Sequence, residues 1–542
     1  MTSFALQELK LIDPSMGSGH ILVYAFDVFM QLYEAKGESP RTASELILEN
    51  NLFGLDIDKR AFQLAYFALM MKGRQYSRRI LAKQLRPNVY AVPNNSEIGE
   101  AELQLVQMQF NDQKKAQQDL LTLVEGFKNG AELGSLIQFE GLDFENLKSG
   151  LNNTNVYFFD QSIKEMILVG ELLQQQYEIG ITNPPYMGSS GMDKILSGYV
   201  KKVYPDSKSD LFGVFIERLE EMIESTGYYA MITQHAWMFL SSFEKLRIKI
   251  NQQTIVNMAH LGTRAFEEIG GEVVQTTSFV ITPKKYKNYA GGYLRLVDFD
   301  NYRLKETKAL DAITGSTDYL YTIKQDRFLE IPGQPISYWV SENILKLFTM
   351  PSFVDKVNFK EGITTANNSL FLRYWFEIDA LNKNWIPYNK GGSYRKWFGN
   401  NDYLVNWYDD GNVIKIYPGS SFRNKSFQRS DGATFSALTS GNFSVRKSVS
   451  NAAFDSKGTM FFSEKYNLYN IIGYMNTNLF QKLLSYVSPT LDYRFGTIQK
   501  LPLLYINVEN IVKQNILLSK KEYTSFETTN DFSQHPLIGE IV

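Results

Sequence analysis

Apolar and polar positions change period repeatedly along the first 285 residues. Short apolar runs that end in turn residues read as buried strands: Leu11-Ile12, the stretch Leu52 to Ile57, Tyr177 to Thr182, Tyr228 to Thr233 and Val273 to Thr282. Between them, helical spacing runs from Ile21 to Glu34, Lys59 to Lys72, Leu211 to about Ser225 and Phe243 to Asn251. A further helix is expected from Glu38 to Asn50, with Pro40 near its start and Thr42 or Ser44 as its cap. Strand and helix in alternation predict an α/β fold: a doubly wound seven-stranded mixed sheet whose late strand closes a hairpin, with ligands at the carboxyl ends of the parallel strands. The Gln-rich stretch at about 97–130 reads as a helical surface insertion. Met187 to Tyr204, opened by Gly188-Ser189-Ser190-Gly191, reads as a mobile loop.

Two strand ends carry chemistry. Tyr177–Thr182 runs into Asn183-Pro184-Pro185-Tyr186. Paired prolines fix φ and remove two N–H donors, so this loop is stiff and holds the Asn183 amide in one geometry. The Asn183 amide oxygen and the Pro184 carbonyl suit the two donors of a planar amino group, and Tyr186 offers a ring for stacking. Leu11-Ile12 runs into Asp13-Pro14-Ser15-Met16-Gly17-Ser18-Gly19-His20 and then a helix. This is the first unit of a nucleotide-binding sheet, in which glycines allow close approach of a ligand. It lacks the third glycine of a dinucleotide site, because Leu22 stands there. The next strand-end acid, Asp56, is also too far along for that motif. Asp58 reads as a helix cap and His20 as a helix-start residue.

Taken in order, these segments resemble S-adenosylmethionine-dependent N6-adenine DNA methyltransferases. The wording Asp13 to Asp27, the segment Leu133 to Ile137 and the stretch Ser488 to Asp492 resemble the PglX type of bacteriophage-exclusion (BREX) systems. The resemblance implies a Rossmann-like class I methyltransferase that uses S-adenosyl-L-methionine. Asp13, Pro14, Met16, Gly17, Ser18, Gly19 and His20 would surround the methionine, Asp56 would accept both ribose hydroxyls, and Ile57 would pack on the adenine. Ser135 or Asp143 would supply a further polar contact, Asp143 being the choice taken. Asn183, Pro184, Pro185 and Tyr186 would be catalytic on a flipped-out adenine, with Phe266 as a second stacking ring. Phage defence or restriction-modification is the implied setting. Two alternatives stay open: a protein-glutamine or RNA methyltransferase, and a recognition subunit or fragment with an incomplete cofactor pocket. Family members carry a long region before the glycine turn, so a chain with only Met1 to Lys10 there reads as lacking the N-terminal region.

Length and charge set the rest. A chain of 542 residues is too long for one core. The expected domains are 1–290 (methyltransferase), 291–350 (connection), 351–505 (an α+β target-recognition domain) and 506–542 (tail). Residues 351–542 hold 21 Lys and Arg against 16 Asp and Glu, while the whole chain is −2. Trp375, Trp385, Trp397 and Trp407 lie in the same half, a basic-aromatic mixture that suits double-stranded DNA. Arg423, Lys425, Arg429, Arg446 and Lys447 are the candidate DNA contacts. With no cysteine and only four histidines, a metal site is not expected. No apolar run is long enough for a membrane span, and a cytoplasmic location is expected. Other defence-system subunits are further candidate partners.

Overall fold

The computed structural model describes residues 5–83, 85–94, 114–151, 160–267, 274–315, 317–379, 381–438, 441–488, 493–532 and 534–539. They form two compact units, Met1–Arg327 and Phe328–Val542.

In the first unit nine strands make one mixed sheet. They are β1 Leu11–Asp13, β2 Leu52–Asp56, β3 Asn88–Ala91, β4 Tyr177–Thr182, β5 Ile223–Gln234, β6 Thr254–Gly262, β7 Thr276–Thr282, β8 Ala290–Arg295 and β9 Leu320–Lys324. Their order is β3-β2-β1-β4-β5-β7-β6-β8-β9. The first five in that order pair in parallel, and β7 runs antiparallel between β5 and β6. Seven strands were expected. β8 and β9 extend the sheet beyond β6, so the boundary placed at residue 290 falls at the first residue of β8 and not between units. Ala290-Gly291-Gly292 carries no apolar alternation; it is a strand because it pairs with an edge that β6 leaves open.

Local chemistry explains the helices that flank the strand ends. Gly19 has φ +84, and a Cβ there would stand 2.9 Å from the Ala65 Cβ, so only glycine lets helix His20–Ala35 lie against helix Lys59–Tyr76. Asp58 caps the latter, its carboxylate accepting from the Arg60 N–H at 2.8 Å. Ser39, rather than Thr42 or Ser44, caps helix Pro40–Leu46 by accepting from the Thr42 N–H. Helix Lys194–Val203 stands where a mobile loop was expected. Asp193 caps it with bonds from Ile195 and Leu196, and Leu196 and Val200 bury one face. Residues 97–113 of the expected insertion lie outside the described residues. Lys114–Gly126 is helical, but Ala116, Leu120, Leu123 and Val124 are buried, so this part is core and not surface.

The second unit contains β10 Asn358–Lys360, β11 Leu372–Tyr374, β12 Trp385–Asn389, β13 Tyr403–Asn406, β14 Ala433–Phe435, β15 Val445–Lys447, β16 Ala453–Phe454 and β17 Met460–Phe462. They form two four-stranded sheets, β10-β17-β14-β15 and β11-β13-β12-β16. Ile331, Val340, Leu345 and Phe348 belong to its aromatic core, so residues 328–350 are not a connection. Val512, on helix Glu509–Tyr523, belongs to the same core, so residues after 505 are not a tail. Ending the chain at Asn507 is therefore expected to lower the melting temperature of this unit by about 5 °C or more, measured by calorimetry. An unchanged transition would make the helix dispensable.

Candidate active site

Parallel pairing brings the carboxyl ends of β2, β1 and β4 together, and a cavity of about 340 Å³ lies over them. Its sheet-borne lining comes from three places: Pro14, Ser15 and Gly17 after β1, Asp56 and Ile57 at β2, and Asn183 and Pro185 after β4. The glycine turn and the Asn-Pro-Pro loop thus share one cavity.

Asp13, the last residue of β1, is fully buried one residue before Pro14 and is not itself part of the lining. Its Oδ1 accepts from the Ser15 N–H at 3.1 Å and from the Thr182 hydroxyl at 2.7 Å, while its Oδ2 has no partner. Burial pushes the Asp13 carboxyl up to about 7. The two oxygens of Asp56 accept from the N–H groups of Gly17 at 2.9 Å and Asp58 at 2.8 Å, which ties the glycine turn to β2. Each of these oxygens keeps a lone pair for a further donor. Ile57 is 56% exposed beside them, an apolar side chain with open surface.

Asn183 and Pro185 are exposed, and Pro184 is buried beneath them. The Tyr186 hydroxyl lies 3.4 Å from both the Asn183 amide oxygen and the Ile232 carbonyl, long contacts that leave both groups available. Burial pushes this hydroxyl up to about 12. Phe212 meets the Tyr186 ring edge-on at 6.2 Å. The Asp210 carboxylate accepts from the Met187 N–H at 3.0 Å, which staples the start of the following segment to helix Leu211–Glu221.

The remaining wall was only partly visible in the sequence. Glu132, Leu133, Gly134, Ser135 and Leu136 line the cavity, as do Leu196, Leu211 and Phe215. The Ser135 hydroxyl donates to the Pro14 carbonyl at 2.6 Å. Gly134 has φ +55, and a Cβ there would reach 2.4 Å from Ile57 Cγ2, so this turn closes tightly on Ile57. Arg218 holds the segment from behind. Buried to 4%, it donates to the carbonyls of Ser135 at 2.8 Å, Ile137 at 2.9 Å and Leu173 at 3.0 Å. No motif marks Arg218, because, apart from Glu221 one turn along its own helix at 3.5 Å, its partners are backbone carbonyls from distant segments.

Several expected contacts lie elsewhere. Asp143 does not line the cavity. It caps helix Phe144–Leu151, its Oδ1 accepting from the Asn146 N–H, so the Ser135 segment takes the place assigned to it. Met16 is a core residue, 4% exposed. Ser18 and His20 pair with each other at 2.9 Å, outside the cavity lining. Gly19 serves helix packing, as above, and Phe266, 37% exposed, is likewise not in the lining.

In the second unit the candidate DNA contacts divide. Arg423 pairs with Glu361 at 2.8 Å, Lys425 with Asp410 at 2.8 Å and Lys447 with Asp431, while Arg429 donates to Asn451. Arg446 is 1% exposed and lies opposite Thr434 inside the sheet, so it is not a surface contact. The Trp397 strand bridge covers the outer edge of β15, which a three-residue run cannot reveal. Among the described residues no cluster of His, Asp or Glu could hold a metal, and no helix is long and apolar enough to cross a membrane.

The chain is similar to known proteins along its length. Residues 50–266 match the Eco57I restriction-modification methylase model. The chain is 42% identical, over 99% of its length, to the adenine-specific methyltransferase PglX of Lacticaseibacillus casei (strain Zhang). The resemblance to the PglX type holds along the whole chain. It is also 35% identical, over 98% of its length, to the adenine-specific methyltransferase BrxX of Escherichia coli O9:H4 (strain HS). The chain spans 48% and 47% of these relatives, about half of each. Among solved structures, a nuclease-deletion mutant of the Type ISP restriction-modification enzyme LlaGI, in complex with a DNA substrate mimic, has a similar fold. It has a TM-score of 0.54 and 11% identity, and the match covers 95% of this chain and 44% of that one. The Type IIL enzyme MmeI, in complex with DNA, gives a TM-score of 0.52 and 13% identity, over 97% of this chain and 67% of that one.

Replacing Arg218 with Met would leave three buried carbonyls without their donor. A stability loss of about 3 kcal/mol is expected in denaturant unfolding. A change below about 0.5 kcal/mol would remove Arg218 from its supporting role.

Proposed function

We propose that this chain is a site-specific DNA adenine N6-methyltransferase of a phage-defence or restriction-modification system, with S-adenosyl-L-methionine as its cofactor. One observation carries the reading: a single cavity joins the Asp56-Ile57 strand end to Asn183 and Pro185.

The residues present fit the cofactor. The Asp13 Oδ2, buried without a partner one residue before Pro14 of the lining, would accept from the cofactor's ammonium group. Asp56 keeps a lone pair on each oxygen for the two ribose hydroxyls, and Ile57 offers an apolar flank for the adenine. Glu132 and Ser135 are the polar groups of the wall beside Ile57. When bound, S-adenosylmethionine supplies an activated methyl group.

The chain's own part is positioning. The Asn183 amide oxygen and the Pro184 carbonyl accept the two N–H donors of the target adenine's amino group. Such bonds favour a tetrahedral nitrogen and localise its lone pair, which is otherwise spread into the ring. Tyr186 stacks on the extruded base, and this offsets part of the few kcal/mol that unstacking costs. In the second unit Arg423, Lys425, Arg429 and Lys447 are the candidate phosphate contacts. Each would exchange a partner within the unit for phosphate.

Asn183→Ala is expected to lower methyl incorporation into unmethylated genomic DNA by at least about 100-fold, with cofactor affinity within about twofold. Full activity in that variant would refute the mechanism. The pH dependence has a definite sign. A carboxyl raised to about 7 binds a cation only when ionised, so cofactor affinity should fall by about tenfold between pH 8 and pH 6. Titration calorimetry should show this slope in the native chain and lose it in Asp13→Asn. A flat profile in the native chain would contradict the role given to Asp13.

A further inference from the structure

A second and larger cavity lies beside β3, at the end of the sheet away from β9. It measures about 540 Å³ and shares no lining residue with the cavity at Asn183. One wall is helix Lys59–Tyr76, through Lys59, Phe62 and Tyr66. Arg86 and Tyr90, the latter on β3, form another, and Glu165 on helix Asp160–Gln174 completes it.

The lining combines two kinds of chemistry. Lys59 and Arg86 are exposed, and among the described residues neither is engaged in an ion pair or hydrogen bond. Arg86 and Tyr66 lie close enough to Tyr90 to act on it electrostatically, which ties the two walls into one site. Phe62 and Tyr66 meet edge to face at 6.2 Å, leaving ring surface toward the cavity they line. Some basic side chains of this unit find acids, as in Lys72 with Asp27 and Lys148 with Glu171. What marks this cavity is that two unpaired cations stand beside three aromatic rings, with the Glu165 carboxylate of its wall engaged in an interaction of its own. A hydrocarbon ligand would leave both cations unmatched, and a bare phosphate would leave the rings unused. A planar base that carries phosphate satisfies both, and the volume is that of an ordinary small-molecule site.

We propose that this cavity binds a nucleoside phosphate, its base against Phe62, Tyr66 and Tyr90 and its phosphates on Lys59 and Arg86. The same chemistry is offered by a free nucleotide and by the phosphorylated end of a short single strand. The site adjoins the first cavity without belonging to it. Ala91 of β3 sits in register with Asp56, the Val92 N–H donates to the Asp56 carbonyl at 2.8 Å, and Lys59 follows Asp56 by three residues.

The test is titration calorimetry of the full chain with ADP and, separately, with a 5′-phosphorylated tetrathymidylate, each in the presence of saturating S-adenosylmethionine. Binding of either ligand is expected, and the tighter of the two identifies the source. The double variant Lys59→Glu/Arg86→Glu should weaken it at least tenfold, and Tyr66→Ala should weaken it severalfold, with affinity for S-adenosylmethionine unchanged in both. Asp56→Ala should lose S-adenosylmethionine and keep the nucleotide, so that failure of the cofactor assignment and failure of this site are told apart. The proposal is overturned if neither ligand binds, if S-adenosylmethionine abolishes binding, or if the charge reversal leaves it unchanged. Inorganic tripolyphosphate binding as tightly as ADP would also overturn it, because the rings would then contribute nothing.

Discussion

The parallel pairing of β2, β1 and β4 is the constraint on which the candidate site depends. Leu11 stands beside both Leu52 and Ile179, so three strand ends meet in one row. The Thr182 hydroxyl donates across that row to Asp13, one residue before Asn183. A one-residue slip of β4 would reverse the faces of its side chains, and that bond would be lost together with the placement of Asn183. A stiff Pro-Pro turn then carries the register forward to the amide. β1 is buried at every position and β4 at Tyr177, Gly180 and Thr182, so a slip would disturb the core beneath the site.

The wall opposite is held by a different means. Ser135 closes on Pro14, and Gly134 closes on Ile57, but neither contact reaches the sheet. Arg218 supplies the link by crossing three backbone carbonyls with one planar fork, a geometry that suits guanidinium and not ammonium. The cavity therefore joins a sheet-borne half to a half held by Arg218 together with the Tyr199 hydroxyl, which donates to the Leu136 carbonyl at 2.8 Å.

How much was legible follows from how local each signal is. β1, β2, β4 and β5 were readable because short apolar runs end at turn residues whose chemistry is itself distinctive. The Asp58 cap was readable for the same reason. Helix Lys194–Val203 was hidden by the glycines before it, although its Asp193 cap and the Leu196–Val200 spacing were present. Asp143 and Ser135 could not be separated, since the choice depends on which one folds over Pro14, more than a hundred residues away. Arg446 reads as a surface cation in a basic stretch, yet its burial is decided by Thr434 and Trp397 on other segments. β8 was missed because pairing to β6, not its own side chains, makes it a strand.

The central claim is that one cavity holds a methyl donor beside the amide that grips its acceptor. The most direct measurement is a crystal structure of the chain with S-adenosylhomocysteine bound. The account requires the adenine against Ile57, the amino group on the Asp13 Oδ2 and the sulfur facing Asn183. A ligand bound elsewhere, or one whose sulfur points away from Asn183, would contradict it.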